Sequence, residues 1–79
     1  MSEPRWHVSS AVVTVTRDAM EEVRNLISRL EGVEIHGGDA TRLIVTIEGK
    51  STGMLGDRLT EINLMTGVLA ACMVFEHAE

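Results

Sequence analysis

Ten residues near the N-terminus, His7 to Thr16 (HVSSAVVTVT), constrain the fold more than any other stretch. β-Branched Val and Thr fill it, and their stiff side chains suit a pleated surface. It holds no Gly and no Pro, and only His7 can carry charge. A strand of this kind at a sheet edge would invite pairing with other chains, so it is expected in the middle of a sheet. The rest of the chain must supply its neighbours and its cover.

The periodicity changes after Thr16. Met20, Val23, Ile27 and Leu30 recur at helical spacing and predict a helix over Arg17–Glu31. Asp18 and Glu21 have the spacing of a capping box, and Gly32 follows as a stop. Val33-Glu34-Ile35-His36 alternates as a short second strand. Gly37-Gly38-Asp39 signals a turn, and Arg42 to Glu48 (RLIVTIE) reads as a third strand, so the two form a hairpin. Ser51 is placed to cap a second helix over Thr52–Met65. Leu55, Leu59 and Ile62 keep its period, while Gly53 and Gly56 weaken it by about 1 kcal/mol each relative to Ala. Val68 to His77 (VLAACMVFEH) is the fourth strand. Leu30-Glu31-Gly32-Val33 matches Met65-Thr66-Gly67-Val68, which suggests a repeated unit.

The order strand, helix, strand, strand, helix, strand predicts an α+β chain. Its expected form is a ferredoxin-like split βαβ sandwich, a four-stranded antiparallel sheet with two helices on one face. Strands one and three are expected at the centre. Residues 6–79 are expected to form a single domain behind a flexible tail, Met1 to Arg5. Trp6, the sole Trp, either clamps that tail or is offered to a ligand.

Such a sheet leaves one face open. Setting strand parity from the two Gly-Val starts puts Val68, Ala70, Cys72 and Val74 toward the helices, with Ser9, Ala11, Val13 and Val15. The open side then carries Val8, Ser10, Val12 and Thr14, Ile44 and Thr46, and Leu69, Ala71, Met73, Phe75 and His77. A bulge would flip part of this list. The open face is therefore largely apolar, the mark of a binding surface or an interface.

Other chemistry finds little support in the sequence. A net charge of −5 argues against nucleic acid and anionic lipid. No run approaches the roughly 20 apolar residues of a membrane span, and the N-terminus has no signal-peptide pattern. The single Cys allows no internal disulfide, which fits a reducing cytosol. Cys72 reads as a small core residue rather than a nucleophile. His7, His36 and His77 lack metal-ligand spacing, Gly37-Gly38 precedes no helix, and Ser9 and Ser10 lack a His and acid partner. No enzyme, cofactor or metal is expected. An acylphosphatase-like activity would need a phosphate-cradling loop after the first strand, which the sequence does not supply in that form.

The opening Trp6-His7-Val8-Ser9-Ser10-Ala11-Val12-Val13 and the closing stretch from Gly67 to His77 resemble the NapD family. Leu30-Glu31-Gly32-Val33-Glu34 and Leu43-Ile44-Val45 stand where that family has similar runs. The resemblance implies a cytoplasmic chaperone for the catalytic subunit of periplasmic nitrate reductase. It would bind that subunit's twin-arginine signal peptide and delay export until the molybdenum cofactor is inserted. Val8, Ser10, Val12, Ile44, Thr46, Leu69, Ala71, Met73 and Phe75 would form the peptide-binding surface, with Leu69, Met73, Phe75, Val12 and Ile44 as its apolar seat. Glu34, Glu48 and Glu76 are candidates for an acidic rim that meets the Arg pair. The alternative is a regulatory or structural module of the same fold that homodimerises or binds a small ligand.

Overall fold

The computed structural model describes residues 6–78, with side chains described as far as Phe75. The expected tail, Met1 to Arg5, lies outside the described residues. The elements are β1 (His7–Val15), a 3-10 turn (Arg17–Ala19), α1 (Met20–Ser28), β2 (Val33–Gly38), β3 (Arg42–Gly49), α2 (Thr52–Asn63) and β4 (Val68–Ala78). The four strands make one antiparallel sheet in the order β2-β3-β1-β4, so β1 and β3 are central. This is the ferredoxin-like α+β arrangement expected from the element order.

The strands bury one face. Ser9, Ala11, Val13 and Val15 of β1, Leu43, Val45 and Ile47 of β3, and Val33 of β2 are buried. Val23 and Ile27 of α1 and Leu55 and Ile62 of α2 complete a single apolar core between sheet and helices. α1 packs chiefly on β2, and α2 on β4, β3 and β1. Ser9 is the one polar residue in this layer among those described, and its hydroxyl has no hydrogen-bond partner. A hydroxyl left so costs about 1–3 kcal/mol.

The first helix differs from its expected form. It enters through a 3-10 turn, in which the Ala19 amide donates to the Thr16 carbonyl. Ala19 occupies the N-cap position of α1 with no side-chain cap. Asp18 therefore lies inside the turn rather than ahead of the helix, and the expected Asp18–Glu21 capping box does not form. The helix closes at Ser28, where the Arg29 and Leu30 amides bond to the Leu26 and Ile27 carbonyls in tighter i to i−3 geometry. α2 is capped as expected. Ser51 is extended, and its hydroxyl accepts from the Met54 amide at 3.2 Å.

The internal repeat has a structural cause. Gly32 and Gly67 each end a helix turn with φ of +80° and +95°, conformations that a Cβ disfavours. A Cβ on Gly32 would run into the Glu48 carbonyl, and one on Gly67 into the side chain of Ala19. Both glycines let a strand begin directly beneath the helix it follows.

Candidate functional site

Residues paired across antiparallel strands project to the same face, so the register assigns each side chain a side. β1 and β3 pair without interruption, Val8 with Glu48, Ser10 with Thr46, Val12 with Ile44 and Thr14 with Arg42. These are open-face residues, because the alternating partners Ser9, Ala11 and Val13 are buried under the helices. Val8, Ser10, Val12, Ile44 and Thr46 thus stand where the sequence placed them.

β4 does not follow a simple alternation. Its register with β1 shifts twice, between Ser10 and Ala11 and between Thr14 and Val15. Leu69 and Val74 are the extra residues, each left without a partner opposite. Beyond the first bulge the parity inverts. Ala71 pairs with Val13 and Met73 with Ala11, so both belong to the helix side, and Ala71 is buried. Their expected place on the open face is overturned. Ala70 pairs with Thr14 and Cys72 with Val12, so these two take the open face instead, and Cys72 is exposed rather than a core residue. The second bulge restores the parity. Phe75 pairs with Ser10 and is 59% exposed on the open side, while His77 holds the register position opposite Val8. Leu69 and Val74, at the bulges, are both largely exposed, which also removes Val74 from its expected place under the helices.

The open face therefore reads in rows. Ile44, Val12 and Cys72 make an apolar centre; Glu34, Thr46, Ser10 and Phe75 lie beside it; Arg42, Thr14 and Ala70 close one side. Glu48 and Val8 close the other. No helix covers these rows, and Ile44 remains 41% exposed. Formal charge is confined to the rim, at Glu34, Glu48 and Arg42 among the described side chains. Glu76 stands opposite the buried Ser9 in the register, outside the open-face rows that hold Glu34 and Glu48. Its side chain lies outside the described residues.

Two polar features frame the face. His36 falls where β2 bulges against β3, and its Nε2 shares a 2.7 Å hydrogen bond with Thr46 Oγ1. At the opposite edge, the Asn63 side chain of α2 pairs with the backbone of Ala71. Its Oδ1 accepts from the Ala71 amide at 3.0 Å and its Nδ2 donates to the Ala71 carbonyl at 3.3 Å. Asn63 occupies the outer edge of β4 as a neighbouring strand would, and closes that point to an added strand. Sequence reasoning missed both, since neither residue belongs to a motif.

Trp6 is 47% exposed and does not lie in the rows described. It walls a pocket of about 310 Å³ with Gly32, Glu48, Gly49, Met54 and Arg58 at the end of the sheet. Arg58 is fixed there by its Nε donating to the Glu31 carbonyl at 3.1 Å and by a 3.2 Å ion pair with Glu61. No group of three or more His, Cys, Asp or Glu is arranged to hold a metal among the described residues. Among the described residues no helix is long and apolar enough to cross a membrane.

Comparison with known proteins agrees with this fold. Chaperone NapD of Paracoccus pantotrophus is 33% identical over 70 residues, a match that takes in 89% of this chain and 62% of that protein's length. The solution structure of the E. coli Tat proofreading chaperone protein NapD superposes with a TM-score of 0.85 at 25% identity. That match covers 99% of this chain and 84% of the E. coli one. The C-terminal domain of the Mycobacterium tuberculosis MgtC protein has the same fold at a TM-score of 0.55 and 18% identity, covering 100% of this chain and 94% of that one. The family model described as NapD protein matches residues 6–79. With nearly its whole length matched, the chain belongs to the NapD family.

Proposed function

We propose that this protein is a cytoplasmic chaperone that binds the twin-arginine signal peptide of a periplasmic nitrate reductase catalytic subunit. Binding on the open sheet face would hold back export until the molybdenum cofactor has been inserted. The observation that carries this reading is an uncovered sheet face with an apolar, uncharged centre and acidic groups at its rim. A twin-arginine signal peptide offers the complement, two Arg next to an apolar segment. An amphipathic helix laid on an apolar surface is an established recognition mode. Ile44, Val12 and Phe75 supply the seat, with Val8, Cys72 and Ala70 beside them. Ala71 and Met73 leave the proposed seat with the corrected parity, and Leu69 borders it. Binding and timing, not bond making, are the proposed activity, and relatives named as chaperones support that.

The net charge of −5 favours approach of a basic peptide. Exposed ion pairs contribute little each, so the apolar seat sets affinity, while the acids set specificity and association rate. The test is calorimetric titration with the N-terminal peptide of the catalytic subunit and with a peptide whose two Arg are replaced. Phe75→Asp and Val12→Asp variants are titrated in parallel, with folding checked by circular dichroism. Binding that is lost on Arg replacement and in both folded variants is expected. Unchanged affinity in a folded Phe75→Asp protein would overturn the open-face assignment.

A further inference from the structure

One carboxylate of the open face is set apart by what stands beside it. Glu34 lies on β2 directly opposite Thr46, in the row that continues to Ser10 and Phe75. The next row is the apolar centre, Ile44, Val12 and Cys72, so Glu34 borders that strip. Two residues further on, the bulge of β2 lets the His36 ring reach back over β3. Its Nε2 is 2.7 Å from Thr46 Oγ1 and 4.0 Å from Glu34 Oε2. The first distance is a hydrogen bond and the second is too long for one. The Nε2 of His36 is thereby engaged by Thr46. The Glu34 side chain, 73% exposed, keeps its oxygens available to an incoming donor. The other charges of the face are placed differently. Arg42 stands 3.9 Å from Asp39, and Glu48 is at the far corner, beside Trp6.

We propose, resting on the reading of the open face as a peptide platform, that Glu34 is the specificity-determining acceptor for a guanidinium of the bound peptide. His36 is a positioning residue that competes for the same carboxylate when protonated. A guanidinium presents two parallel N–H groups that fit one carboxylate, which an ammonium does not, so this site selects Arg over Lys. A protonated imidazole is a cation beside Glu34 and offsets that selection. The charged or titratable groups that share the face with His36 are few. Among the described side chains they are Glu34 on its own strand, Arg42 and Glu48 on β3 and Cys72 on β4. Val8, Ser10, Val12 and Thr14 of β1 contribute none, and the helices lie on the other side.

The test is calorimetry at pH 7.5 and pH 6 with three peptides, carrying the Arg pair, a Lys pair or an Ala pair. The proteins are the wild type, Glu34→Gln, His36→Gln and, as a charge-matched control on α2, Asp57→Asn. Glu34→Gln is expected to bind the Arg peptide about fivefold more weakly at pH 7.5. It should bind the Ala peptide as the wild type does and lose the preference for Arg over Lys, while Asp57→Asn keeps it. His36→Gln, which retains a hydrogen-bonding partner for Thr46, is expected to show a smaller loss of affinity between pH 7.5 and pH 6 than the wild type. Wild-type binding with an unchanged Arg preference in Glu34→Gln overturns the acceptor assignment and leaves the platform standing. Equal pH dependence in wild type and His36→Gln overturns the competition. Absence of binding by the wild type to any peptide overturns the platform and the acceptor together.

Discussion

β1 has two neighbours. Against β3 it pairs in unbroken register from His7 opposite Gly49 to Thr14 opposite Arg42. Against β4 the same strand of 9 residues meets one of 11, and the surplus is taken up at Leu69 and Val74. The central pair is laid down by a strict alternation of buried and open residues. The outer pair is not, and it is the outer pair whose bulges decide which residues of β4 reach the candidate site. The regular strand builds the platform, and the irregular one sets part of its chemistry.

The widest separation between the two descriptions of β4 is expected at Cys72. With the bulge at Leu69 it is an exposed thiol on the open face; with simple alternation it would be sealed in the core. Reaction with a thiol reagent in the folded protein should therefore approach the rate seen after denaturation. A core thiol would react orders of magnitude more slowly, through opening of the fold alone. Bound peptide should slow the reaction if the seat includes this row. Slow labelling of the free, folded protein would break the comparison.

The next effect is on stability. Leu43 on β3 is completely buried, so Leu43→Ala should cost about 3 kcal/mol in denaturant unfolding. Leu69 on β4 is 68% exposed at a bulge, and Leu69→Ala should stay within about 0.5 kcal/mol. Equal costs would show that the bulged strand is packed as firmly as the regular one.

Asn63→Ala sharpens the picture at the outer edge. It removes both side-chain bonds to Ala71 and is expected to destabilise the fold by about 1 kcal/mol. Faster hydrogen exchange at the Ala71 amide should accompany it, with concentration-dependent association by sedimentation once the edge is open. An unchanged Ala71 exchange rate would show that Asn63 does not guard the strand.

The smallest effect belongs to the β2–β3 turn. Asp39 Oδ1 accepts from the Thr41 amide at 2.9 Å and the Arg42 amide at 3.0 Å. The Thr41 amide bond foremost, with the Arg42 amide and charge, holds the carboxyl below its ordinary value against the opposing effect of desolvation. A lowered carboxyl pKa contributes stability above its ordinary value, and the contribution is lost as pH falls through the lowered one. A slight decline should therefore set in below about pH 4, and Asp39→Asn should flatten it. An identical acid profile for the two proteins would remove the turn from the account.

Legibility in the sequence follows the same division. The period of two in Leu43, Val45 and Ile47 and in Ala11, Val13 and Val15 assigned both central strands to their faces, because each has apolar residues of one parity deeply buried. Val68 to Phe75 is apolar at both parities, so its pattern cannot tell one face from the other. Neither bulge needed a Gly to announce it. The helix ends divide likewise. Ser51 could be read as a cap because it stands just ahead of the helical period, and it is extended with its hydroxyl on the Met54 amide, whereas Asp18 lies in a turn closed by a backbone bond from Ala19 to Thr16. His36 and Asn63 act through partners distant in sequence, Thr46 and Ala71, and only the fold brings them together. The Gly-Val pairs at 32–33 and 67–68 were legible because a positive φ and a close backbone approach both exclude a side chain there.

The two unpartnered residues of β4 give that strand chain to spare. Loss of Leu69 or Val74 would shorten it without turning any other side chain to the opposite face, since each neighbour would simply meet the partner it already has. β3, matched one to one with β1, has no such allowance: a deletion between Leu43 and Ile47 would turn core side chains of that strand out into water. Variation in length among related chains should therefore be tolerated along β4 and purged along β3. The strand that helps form the open face is the one free to change its length.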